Sequence, residues 1–90
     1  MFTVTWSEEA RDQLTAAWIN ASSFDRREIT DSAALLEKHL RANATRIGES
    51  RDDETLRFVS TGPIGIEFQV SELDRLVTVF KTWLIPRRTK

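Results

Sequence analysis

The chemistry open to this sequence is mostly that of arginine. Ten of its thirteen basic residues are arginine, whose planar fork suits phosphate and carboxylate groups better than the lysine ammonium does. Residues 1–54 carry 7 basic and 11 acidic side chains, a balance of −4, and residues 55–90 carry 6 basic and 3 acidic, a balance of +3. Two surfaces of opposite sign are one reading of that division, and a solvated charged exterior is the other. His39 is the sole histidine. Beside Lys38 and Arg41 on a helix surface, it reads as structural rather than as a general base. Asp52, Asp53 and Glu54 lack the spacing of a metal cage, so a solvated loop explains them better than a cation site. There is no phosphate-binding glycine loop and no nucleophile elbow, and nothing calls for a cofactor or metal. Trp6, Trp18 and Trp83 could stack on bases. Two of the three fall on apolar stripes, and Trp83, close to Pro86-Arg87-Arg88, is the one expected to meet a partner.

These residues must be positioned by a small set of elements. Ile64, Ile66, Phe68 and Val70 alternate with Gly65, Glu67 and Gln69, the period-two pattern of a strand with one buried face. Thr55–Ser60 before it and Arg75–Leu84 after it read as strands too, joined through Thr61-Gly62-Pro63 and Ser71-Glu72-Leu73-Asp74. Leu76-Val77-Thr78-Val79-Phe80 is apolar on both faces, which suits the inside of a sheet. Phe2, Val4 and Trp6 form a first short strand. Ser7 caps a helix with Glu8 and Glu9 in its first turn, and Ala10, Leu14, Ala17 and Trp18 make its apolar stripe. After Asn20-Ala21-Ser22-Ser23, Asp25 is expected to cap a second helix with Glu28 reaching back. Ile29, Ala33, Leu36 and Leu40 form its stripe, and Glu37 and Arg41 pair on the wet side. Ala44 to Glu54 reads as an exposed loop.

The expected architecture is α+β in the order β-α-α-β-β-β. A helical hairpin packs on one face of a four-stranded antiparallel sheet, with the first strand beside the last. Ninety residues make a single domain, residues 1–90. Without cysteine there is neither a disulfide framework nor a thiolate metal site. No apolar run approaches the ~20 residues that span a bilayer, and the N-terminus lacks the basic start of a signal peptide. A cytoplasmic protein with no membrane partner is expected.

The arrangement and several local residues resemble the RelE/ParE superfamily of bacterial type II toxin–antitoxin toxins, the plasmid-stabilisation type. Phe2-x-Val4-x-Trp6-Ser7-x-x-Ala10 is similar to the family's opening strand and first helix. Leu36-x-x-x-Leu40-x-x-Asn43 with Ile47-Gly48-Glu49 resembles the end of its second helix and the loop after it. Leu56-Arg57-Phe58, Ile64-x-Ile66-x-Phe68-x-Val70 and Leu76-Val77-Thr78-Val79-Phe80 resemble its strand meander. The resemblance implies one of two activities, ribosome-dependent messenger RNA cleavage in the RelE branch or poisoning of DNA gyrase in the ParE branch. Either is held inactive by an antitoxin whose C-terminal segment wraps the toxin.

Metal-free RNA cleavage needs a base, cations for the charged phosphorane, and an acid for the leaving oxygen. The resemblance makes Arg57 the first candidate cation and places Arg87 and Arg88 near another basic position of the nuclease branch. An exposed strand arginine and a solvated basic terminus are the plainer readings. Lys81 shares its alternation with Val77, Val79 and Trp83; it reads either as a sheet-face cation or as a lysine snorkelling off an edge of the core, and the second is favoured. The nuclease branch has a basic residue where Gly65 stands here, Glu67 puts an acid on that same face, and no tyrosine is present for the C-terminal acid–base role. The expected working surface is therefore the sheet face away from the helices with the C-terminal tail. Arg57, Lys81, Trp83, Arg87 and Arg88 serve there as binding rather than catalytic residues. The alternative is a non-toxic interaction module of the same fold whose sheet face docks a protein. If the free helix surface carries a groove for an antitoxin segment, the lone chain is expected to dimerise or to bind an apolar helix.

Overall fold

The computed structural model describes residues 1–46, 49–50 and 56–85. Strand β1 (Thr3–Trp6) leads into helix α1 (Glu8–Ile19) and helix α2 (Ser23–Asn43). A two-residue strand β2 (Glu49–Ser50) and three longer ones, β3 (Leu56–Thr61), β4 (Ile64–Ser71) and β5 (Leu76–Leu84), follow. The four main strands stand in the order β1-β5-β4-β3, and β2 adds two residues beyond β3. The α+β class, the helical pair and the seat of β1 beside β5 agree with the sequence reading.

The sheet is mixed, not antiparallel. β1 runs parallel to β5, with Thr3 opposite Leu76 and Trp6 opposite Val79, while β3–β4 and β4–β5 are antiparallel. The direction follows from counting reversals. The chain turns back between α1 and α2, between α2 and β3, and at each of the two hairpins. Four reversals bring β5 back to the direction of β1, and the helices supply the long connection that parallel strands require.

Local sequence explains most element ends. Ser7 caps α1 by accepting from the Ala10 N–H at 3.1 Å, with Glu8 and Glu9 in the first turn. α2 starts earlier than expected: Ser22 is its cap, accepting from the Asp25 N–H at 3.2 Å, so Asp25 lies in the first turn. Arg26 reaches back from α2 to satisfy the last carbonyls of α1, donating to Trp18 O and Ile19 O at 2.9 Å. Its guanidinium carbon lies 4.5 Å from the Trp18 ring centroid, and Trp18 Nε1 donates to Thr30 Oγ1. Trp18 thus ties the two helices together rather than entering the core. The Glu37–Arg41 pair forms at 2.8 Å. The β3–β4 hairpin turns through Gly62 and Pro63, where φ of +58° at Gly62 is cheap only for glycine.

The core lies between the helices and one face of the sheet. Ile29, Leu36, Leu40 and Ala44 pack with Ile64, Ile66, Phe68, Val77, Val79, Phe2 and Ala10, all buried. Ala44 therefore belongs to the core and not to an exposed loop. The rest of that expected loop includes β2; residues 47–48 and 51–55 lie outside the described residues. Among the described residues, no helix is long and apolar enough to cross a membrane.

Candidate functional site

Residues directly opposite one another in neighbouring strands project to the same face, so the register sorts the sheet. Val59, Ile66, Phe68, Val77 and Val79 face the helices, together with Val4 and Trp6 of β1. The outer face carries Leu56, Phe58 and Ser60 from β3, Gly65, Glu67 and Gln69 from β4, Thr78, Lys81 and Trp83 from β5, and Thr3 and Thr5 from β1.

A β-bulge decides what this face presents. Glu67 pairs with Lys81, yet Phe68 pairs with Val79, so Phe80 is the extra residue on β5. The bulge shifts the alternation by one position. Lys81 is consequently exposed on the outer face beside Glu67 instead of snorkelling from the side of Val77 and Val79, and Thr82 takes the buried position. Two polar devices hold the irregular backbone. Ser7 Oγ donates to Phe80 O at 3.1 Å and the Ser7 N–H to Val79 O at 2.9 Å. Gln13 Oε1 of α1 accepts from the Thr82 N–H at 2.9 Å, while Thr82 Oγ1 donates to Gly65 O at 3.0 Å.

Gly65 and Trp83 form the second feature. They are directly opposite, and a Cβ placed on Gly65 would lie 2.7–2.9 Å from three atoms of the Trp83 indole. The ring therefore lies against the Gly65 backbone and occupies the space a side chain there would need. One face of the strand glycine is closed, yet Trp83 itself stays 41% exposed, with Leu84 and Ile85 beyond it also exposed. Between the bulge and the start of α1 is an open depression of about 460 Å³, lined by Ser7, Glu9, Leu56, Glu67, Phe80 and Lys81.

The candidate residues do not gather in one place. Lys81 and Trp83 share the outer face. Arg57 is opposite Phe68, so it is half-buried on the side of the helices and does not join them. Arg87 and Arg88 lie outside the described residues. Across the described strand positions of β1, β3, β4 and β5, the outer face holds a single basic side chain, Lys81, set against a single acid, Glu67. Phosphoryl chemistry wants several convergent cations, and this face is close to neutral, with aromatic and hydroxyl groups around one charge pair. Phe58, Phe80 and Leu56 were not singled out by sequence. Strand β3 reads Leu56-Arg57-Phe58-Val59, apolar in both phases, and only the register tells its faces apart.

No protein-family model matches the chain, and no curated protein matches it. Solved structures do. The toxin–antitoxin complex RelBE2 from Mycobacterium tuberculosis aligns with a TM-score of 0.74 at 14% identity, over 93% of this chain and 91% of that one. A chromosomal ParDE toxin–antitoxin system from P. aeruginosa aligns at 0.71 and 14% identity, over 96% and 98%. The isolated E. coli RelE toxin aligns at 0.64 and 14% identity, over 98% and 88%. The chain has the RelE/ParE toxin fold.

Proposed function

We propose that this chain, built on the RelE/ParE fold, is the toxin-like member of a type II toxin–antitoxin module and acts by binding a protein target, of the gyrase type, rather than by cutting RNA. The observation that carries this is the outer sheet face, where Trp83 fills the space over Gly65 and Lys81 stands beside Glu67. Among the described residues a phosphate backbone meets no cationic cluster on that face, and an acid at its centre repels it. Exposed aromatic and aliphatic groups around a few polar ones are instead the make-up of a protein-binding surface. Trp83 and Lys81 are the binding residues on this reading, and Arg87 and Arg88, outside the described residues, are proposed to contribute to the same binding.

Neutralisation by an antitoxin belongs to the same proposal. The similar structures include RelBE2 and ParDE toxin–antitoxin assemblies. On this chain, a groove of about 270 Å³ between the helices, lined by Leu14, Thr15, Trp18, Ile29, Thr30 and Ala33, offers an apolar seat for such a segment.

The test is transcript mapping in a bacterial host during induced expression. Growth arrest with intact transcripts, and altered plasmid supercoiling, is the expected result. Codon-registered cuts in messenger RNA would overturn the protein-target reading. The charge-balanced face also fits a non-toxic interaction module, for which expression would leave growth undisturbed.

A further inference from the structure

The outer face has a property that the choice of target does not use: its charge pattern is complementary to itself. Glu67 and Lys81 are direct cross-strand neighbours on β4 and β5, one half-buried and one exposed. They are the only charged side chains among the described outer-face positions of β1, β3, β4 and β5. A second copy turned by 180° about an axis running along the strands, between β4 and β5, brings its own lysine over Glu67 and its own glutamate over Lys81. A surface patch that contacts itself in this reciprocal way is what a two-fold dimer requires.

The aromatic residue falls in the right place for the same axis. The Trp83 indole leans from β5 across to the Gly65 backbone on β4, so it sits over the line between the two strands. Rotation about that line returns each Trp83 to the same height and sets the two rings against one another. Uncharged Thr5, Thr78, Gln69 and Phe58 surround the centre, while Glu9 beside the depression and the exposed Glu72 and Asp74 of the β4–β5 turn put further acids at the periphery. Two sheets stacked face to face with their strands aligned to within about 30° are an ordinary packing.

We infer that this face pairs with a second copy of the chain, joining Glu67 to the partner's Lys81, Lys81 to the partner's Glu67, and Trp83 to the partner's Trp83. Four strands about 4.8 Å apart and four to nine residues long give a footprint on the order of 500 Å² in plan. That is near the lower end of stable interfaces, so the dimer is a weak one. The inference goes beyond the proposed function and does not depend on it. If both hold, a target of the outer face must displace the second copy.

Sedimentation velocity on the full chain tests it, with circular dichroism to establish that each variant is folded. The wild type should pass from monomer to dimer across the micromolar range. In a homodimer Lys81→Glu leaves four acids at the centre and Glu67→Lys leaves four bases, so each alone should dimerise at least ~10-fold more weakly, as like-charge contacts at an interface demand. Mixed together, the two variants should form a heterodimer at least as tight as the wild-type dimer. Trp83→Ala should weaken pairing without abolishing the charge complementarity in the mixture. A wild type that stays monomeric up to roughly millimolar concentration, or folded charge variants that ignore one another when mixed, would overturn the inference.

Discussion

Replacing Gly65 with alanine should destabilise the wild type and stabilise a chain that already carries Trp83→Ala. The added methyl would lie 2.7–2.9 Å from three indole atoms, inside the ~3.5–4.0 Å at which carbon atoms rest against each other. The ring must tilt off the strand. Trp83 is 41% exposed, so a little over half of a tryptophan's ~250 Å² is covered, which at about 25 cal/mol/Å² amounts to an upper bound near 3–4 kcal/mol. Tilting forfeits part of that, roughly 1–2 kcal/mol. Without the indole the three atoms nearest the methyl are gone, and alanine gains about 0.5–1 kcal/mol over glycine by restricting the unfolded chain. The two substitutions should therefore couple by about 2 kcal/mol. Urea unfolding followed by circular dichroism, at protein concentrations too low for self-association, reads this as a shift in midpoint at unchanged slope. If Gly65→Ala has the same sign in both backgrounds, the indole does not rest on Gly65 and the steric account of this position fails. The same clash bears on function, since a basic side chain at position 65 could be accommodated only by expelling Trp83.

Three further outcomes test the elements that hold the face. Gln13→Leu removes the acceptor of the Thr82 N–H and should cost about 1–3 kcal/mol, with faster amide exchange at Thr82; Gln13→Glu, which keeps an acceptor, should cost less. Ser7→Ala removes both the α1 cap and the donor to Phe80 O and should cost about 1–2 kcal/mol in denaturant unfolding, while Ser7→Asp should recover only the capping part. Gly62→Ala meets Ser32 Oγ and a φ of +58°, so it should cost at least ~1–2 kcal/mol, and pairing it with Ser32→Gly should return only the steric share.

Much of the fold was legible because its signals are local. The alternation from Ile64 to Val70 fixed both the strand and its inner face, Ser7 marked the start of α1, and the stripe Ile29, Leu36, Leu40 marked the buried side of α2. The direction of β1 was not visible in its residues, since Val4 and Trp6 would point inward beside β5 in either orientation. Only the count of chain reversals decides it. The cap of α2 was misplaced because Asp25 and Ser22 are both good caps, and the serine three residues earlier won. At the candidate site the limits were sharper. A bulge adds one residue without any mark in composition, so the alternation through Val77 and Val79 misplaced Lys81. Arg57 sits in a strand apolar in both phases, and its face is set by pairing with Phe68. Glycine at position 65 did carry information, and its meaning came from Trp83 lying across the sheet.

The central claim is tested most directly by growth of a bacterial host during induced expression of the wild type beside a Lys81→Ala/Trp83→Ala double variant. Arrest by the wild type, with relief by a double variant that is equally soluble and folded, is the predicted result. Undisturbed growth in the presence of soluble, folded wild-type protein would contradict a toxin-like role, and arrest undiminished by the double variant would show that the outer sheet face is not the working surface.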